Sequence, residues 1–149
     1  MTNDIEETIK DFMPDITFIK SFRGNGIMLD KKLTNAELAA VVFMSDFICY
    51  NDCVLRKNGD KRGDALTVRD LAELRGVKYD SFRRIIYSLR DKEVIGFHDT
   101  GDSNGTHWIT VNPFIFCRGV KISVWVIDFY SNTEWAKIER QRIKNNIKE

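Results

Sequence analysis

The stretch Leu66–Val111 constrains the fold of this chain most strongly. It carries two short helical patterns separated by one glycine break, followed at once by two strand-like runs around a tight-turn signal. Thr67 is a good N-cap, with Asp70 three residues later, close to a capping box. Val68, Leu71, Ala72 and Leu74 then give an apolar face at helical spacing. Gly76 accepts a positive φ and lets the chain turn. Val77 is expected to plug the turn between the two helices.

The second helix is expected to start near Tyr79. Phe82, Ile85, Ile86 and Leu89 mark its buried side. The other side carries Lys78, Tyr79, Ser81, Arg83, Arg84 and Tyr87. After Val94 and Ile95, Asn104-Gly105 sits at the tip of a predicted hairpin, and Thr106–Val111 returns. Helix, turn, helix, hairpin is the order of a winged helix-turn-helix. The predicted fold class is α+β, a winged helix-turn-helix with N-terminal and C-terminal extensions. It divides into a helix-turn-helix over 67–92, a wing over 96–111 and a C-terminal helical extension over 122–147. All belong to a single domain, 1–149.

A helix of this kind fits the DNA major groove. Arginine there donates two parallel hydrogen bonds to guanine or pins a phosphate, while Tyr and Ser reach phosphates or thymine methyls. Lys78, at the helix start, can act on a phosphate together with free backbone N–H groups. The wing is not basic, because Asp99 and Asp102 lie near its tip. It is therefore expected to position the domain weakly or to serve another contact.

The rest of the chain reads as support. Residues up to Pro14 form an acidic arm or short amphipathic helix, and 16–22 alternates like a strand. Thr34 and Glu37 make a full capping-box signal. The helix they start holds Leu38, Val41, Val42, Ser45, Phe47 and Ile48, ends near Cys49, and is expected to be the central helix. Cys53–Arg56 is a short strand candidate that would add a third strand to the wing sheet, and 58–63 is a loop tip whose basic residues are solvated or track a phosphate. Asn112-Pro113 turns the chain, Ile122–Tyr130 favours a short helix, and Glu134–Ile147 reads as a polar helix. The chain has 10 Phe. One small wing domain cannot easily bury Phe114, Phe116, Trp125, Phe129, Tyr130 and Trp135. A homodimer contact made by some of them is expected; the alternative is a larger monomer core closed by the first twenty residues.

Net charge is only +1, which argues against indiscriminate coating of nucleic acid. Its distribution is more informative. Residues 61–92 hold nine Lys/Arg against five Asp/Glu, whereas residues 1–20 hold five acids against two lysines. Three cysteines, an odd number, argue against a disulfide framework, and the two histidines, both in the wing, do not complete a metal set. No Gly-rich phosphate loop with Lys and Ser/Thr and no nucleophile elbow appears, so neither enzymatic activity nor a cofactor is expected. With no signal-like or membrane-spanning run, a cytoplasmic location and no membrane partner are expected.

The segment Val111-Asn112-Pro113-Phe114-Ile115-Phe116-Cys117-Arg118-Gly119, followed by Asp128–Trp135, resembles the end of winged-helix replication initiator and regulator proteins of Firmicute plasmids and phages. There a wing strand runs into an Asn-Pro element, a basic residue with Gly, a Phe-containing helix and a Trp. Phe18-Ile19-Lys20 resembles their N-terminal start, and the likeness spans roughly residues 16 to 137. The resemblance implies a DNA-binding protein without its own catalytic centre. It supports Tyr79, Ser81, Arg83 and Arg84 as recognition surface, and Asn112, Pro113 and Gly119 as structural positions. The acidic wing and the long loop between Cys53 and Ala65 depart from that pattern. The expected function is sequence-specific double-stranded DNA binding in plasmid or phage replication initiation or transcriptional regulation, as a homodimer that engages the replication or transcription machinery. The alternative is a protein-interaction module of a mobile element that turns the same fold against a host protein.

Overall fold

A computed structural model describes residues 31–99, 107–115 and 122–148. Among these it is an α+β structure of five α-helices and one two-stranded antiparallel sheet, compatible with a winged helix. The order is α1 (Asn35–Ser45), α2 (Val68–Arg75), α3 (Tyr79–Asp91), β1 (Ile95–Asp99), β2 (His107–Val111), α4 (Val124–Tyr130) and α5 (Glu134–Lys148). The expected acidic arm, the strand over 16–22, the wing tip, Phe116, Cys117 and Gly119 lie outside the described residues.

Local chemistry starts and stops the helices. Thr34 and Glu37 form a reciprocal capping box on α1, and Thr67 and Asp70 form a second on α2. Each box satisfies two backbone N–H groups that a helix start leaves without partners. Gly76 ends α2 at φ 74°, a left-handed conformation that costs glycine little. The N–H of Val77 donates to the Ala72 carbonyl at 3.1 Å. That bond, rather than a side-chain plug, closes the turn: Val77 itself is exposed, as is Leu74. The apolar face of α2 narrows to Leu71 and Ala72, with Val68 packed beside it.

Helix α1 is shorter than its apolar composition suggests. It ends at Ser45, and the chain turns through Phe47 so that Ile48 bridges to Leu55. Val42, expected in the core, is 70% exposed, while Ala40, Val41 and Met44 are buried. A uniformly apolar helix does not announce which of its faces is inward; the neighbours decide. Here α3 packs on α1, with Phe43 edge-on to Phe82 at 6.3 Å.

Cys53–Arg56, expected as a third strand, forms no strand of its own and meets β2 through one isolated bridge. Leu55 donates to Ile109 at 2.8 Å, Val111 donates to Cys53 at 3.1 Å, and Val54 bridges Thr110. Strand β2 is thus paired on both edges, with β1 in the register Ile95↔Val111 through Asp99↔His107. The core runs from Leu33 and Met44 through Phe82, Ile86 and Leu89 to Ile95, Ile109, Tyr130 and Trp135. Tyr130 and Trp135, counted among candidates for a dimer contact, are therefore interior residues.

The C-terminal helices are tied to the end of α3 by polar bonds. The Trp135 indole donates to the Lys92 carbonyl at 2.8 Å. The buried Asn112 amide donates to the Glu93 carbonyl at 2.9 Å and to Thr133 Oγ1 at 3.2 Å. Asn112 therefore holds together the α3–β1 junction, the end of β2 and the start of α5. Gly96 in β1 permits the close approach of α4: a Cβ there would stand 2.6 Å from Phe129 Cε1 and 2.7 Å from the Tyr130 hydroxyl oxygen.

Candidate nucleic-acid interface

Helix α3 has two unlike flanks. On the flank toward α1, Glu37 is buried and accepts from Ser88 Oγ and Lys92 Nζ, both at 2.6 Å, and from the Thr34 N–H at 2.8 Å. Burial alone would raise this carboxyl. The bonds from Lys92, Ser88 and Thr34 overcome that and hold it at about 2. The carboxylate stays charged and clamps α3 to α1, which fixes how the rest of α3 is presented.

The other flank carries a run of cations on rings. Arg69 of α2 lies over the Tyr79 ring at 4.1 Å. Arg83 and Arg90 each lie 4.7 Å from the Tyr87 centroid. Tyr87 meets Phe97 of β1 edge-on at 5.7 Å, and Phe97 meets His107 of β2 at 6.1 Å. A bond to the Tyr87 hydroxyl raises the Arg83 guanidinium above its ordinary range. Stacking of this kind holds a guanidinium in place while leaving its N–H edge available. Among the described residues neither Arg69 nor Arg83 has an ion-pair partner, whereas Arg90 pairs with the exposed Asp91 at 3.2 Å.

The six residues singled out from sequence divide between positions. Lys78 is the N-cap of α3, extended at φ −69°, ψ 135°, and exposed. Ser81, Arg83 and Arg84 are exposed, and Tyr79 and Tyr87 are half-buried. The structure brings Tyr79, Arg83 and Tyr87 into the stacked flank. Arg84 projects from the outer side of the helix, where Asp80 and Asp91 are also exposed. Sequence reasoning missed Arg90, Arg69, Phe97 and His107. Arg90 was within reach, since it follows Tyr87 by three residues on a helix. Arg69 and the two strand residues had no signal, because only the packing of α2 and the hairpin against α3 brings them there.

Behind the hairpin, α4 leans on His98. The ring is 4.4 Å from Phe129 and 5.4 Å from Trp125, and its Nε2 is 2.7 Å from Thr110 Oγ1. The Tyr130 hydroxyl donates to the Thr110 carbonyl at 3.0 Å. Burial pushes His98 below its ordinary value and raises the Tyr130 phenol. Cys49 and Cys53 are buried and not disulfide-bonded, and burial raises the Cys49 thiol. Among the described residues no group of three or more His, Cys, Asp or Glu is placed to hold a metal ion, and no helix is long and apolar enough to cross a membrane. Compared with family models, curated proteins and solved structures, the chain matches none.

Proposed function

We propose that this protein is a winged-helix double-stranded DNA-binding protein of a plasmid or phage, acting in replication initiation or transcriptional regulation. The observation that carries the reading is the presentation of α3. Its inner flank is clamped to α1 by Glu37, while Lys78, Ser81, Arg83 and Arg84 stand exposed along its first two turns. A rigid helix with free donors near its N-terminal end is what entry into a major groove requires. The resemblance to plasmid and phage replication proteins supports the same reading.

A homodimer would set the spacing of two half-sites. Support comes from α4, where Val124 and Ile127 are exposed on a helix whose other side, Val126 and Tyr130, is buried. Apart from the exposed Asp128, such a helix is apolar and gains from a covering partner. Light scattering on the intact chain should give twice the monomer mass, and Ile127→Asp should return it to the monomer; a wild-type mass that stays monomeric at high concentration removes the dimer.

Selection of fragments from the native genome with purified protein tests the function directly, because it reports both the site and its symmetry. The double variant Arg83→Ala/Arg84→Ala should lose specific binding by about a hundredfold, each arginine contributing roughly tenfold. Both side chains are exposed, so the fold should survive. Unchanged affinity in that variant would falsify the assignment of α3 as the reading helix.

A further inference from the structure

A cleft of about 850 Å³ opens between the start of α2, the stacked flank of α3, the hairpin and α4. We propose that this cleft binds an unpaired nucleotide, its phosphate drawn in by the arginines that line it, Arg69 and Arg90, and its base against the Phe129 and His107 rings. The inference rests on the reading of α3 as a nucleic-acid-facing helix and adds a second ligand to it.

The cleft is the size of a pocket for one small ligand rather than a surface for a duplex. Its lining is aromatic and cationic: Tyr79, Tyr87, Phe97 and His107 stand beside Arg69 and Arg90. Glu93 is the single acid among the lining residues. Both guanidiniums are held by rings, Arg69 on Tyr79 and Arg90 on Tyr87. Arg69 has no ion-pair partner among the described residues, so its N–H edge is kept for phosphate oxygens, whereas Arg90 donates Nε and Nη2 to the exposed Asp91 at 3.3 and 3.2 Å and a phosphate there exchanges with that carboxylate. The Tyr87 ring is already engaged by two arginines, so Tyr87 serves the phosphate side of the site. Phe129, half exposed at the cleft wall, and the exposed His107 offer ring surface to a base. A base inside a duplex has both faces covered by its neighbours, so only an unpaired one can use that surface.

Free nucleotide and single strand share this chemistry, and one set of titrations separates them. Fluorescence anisotropy of the intact protein would be read with a labelled oligothymidylate of about 12 nucleotides at low salt. Thymidine monophosphate and inorganic phosphate serve as competitors. The wild type should bind the oligomer. Arg69→Ala/Arg90→Ala should weaken binding at least about tenfold, as should Phe129→Leu, which keeps the volume and removes the ring. Arg90→Lys should fall between, because it keeps the charge and loses the planar fork. Circular dichroism establishes that each variant is folded; if the double variant is not, Arg90→Lys and Phe129→Leu decide. Competition by the monophosphate assigns the site to a free nucleotide, and competition by oligomer alone assigns it to a strand. Failure of the wild type to bind the oligomer, indifference to both folded variants, or equal competition by inorganic phosphate overturns the proposal. A protein that retains its native duplex but not the oligomer loses only this cleft. One that binds the oligomer but no duplex loses only the major-groove reading.

Discussion

The two flanks of α3 solve the same problem in opposite ways. Toward α1 a single buried carboxylate takes three hydrogen bonds and leaves no charge unanswered. Toward the hairpin, guanidiniums rest on aromatic rings, and two of the three have no ion-pair partner among the described residues. The first arrangement gives rigidity, since a charged group in a closed interface must be fully partnered to persist. The second gives availability, since a ring positions a cation without consuming its hydrogen-bonding edge. A helix held this firmly on one side can offer ordered cations on the other.

The comparison breaks most sharply at Glu37. Glu37→Ala should cost about 3 kcal/mol, combining loss of the capping box with loss of the bonds to Lys92 and Ser88. The Lys92 side chain is 35% exposed, so solvent screens part of that interaction and keeps the cost from being larger. Urea unfolding reads the loss, and it should reduce DNA retention although Glu37 faces away from the open flank. The same carboxyl sets an acid limit. Its pKa is depressed from 4.5 to about 2, so its contribution is complete above 4.5 and disappears as pH falls toward 2. The variant should show a flatter stability profile across that window.

Gly96→Ala tests the support of the open flank from behind. The Tyr130 hydroxyl is buried and bonded to Thr110, so it cannot yield to a new Cβ 2.7 Å away. The expected loss is about 2 kcal/mol in thermal or denaturant unfolding, from overpacking. A variant as stable as the wild type would mean that α4 does not seat on β1 as described.

The smallest effect belongs to His98. Its folded pKa is depressed below 6.5 by burial, so folding favours the neutral ring. Stability from this group is present above pH 6.5 and declines as pH falls below it. Trp125 stands against the ring and reports the change by its fluorescence. His98→Gln should abolish that acid-dependent signal and leave the Glu37 window in place, which separates the two sides of the comparison.

Much of the arrangement was legible before any coordinates. Both capping boxes, the Gly76 turn and the buried positions Phe82, Ile86 and Leu89 follow from residue type and spacing alone. These are local matters: a cap bonds three residues along, and a helix repeats every 3.6. The early end of α1, the exposure of Val42 and Val77, and the interior placement of Tyr130 and Trp135 were not legible. An apolar side chain states that it gains from burial, but not which neighbour will cover it.

The candidate site divides along the same line. Sequence by itself determined that Lys78, Ser81, Arg83 and Arg84 would stand exposed, because helical geometry sorts residues within one segment, whereas Tyr79 and Tyr87 are half-buried and Tyr79 packs against the core. Only the tertiary structure decided that Arg69 would reach Tyr79, that Phe97 and His107 would extend the stack, and that Glu37 would brace the opposite side. Those partners are separated from α3 by turns and strands, and their meeting depends on how whole elements pack. Contacts between distant segments follow from shape complementarity and charge across the assembled core, which no single segment encodes.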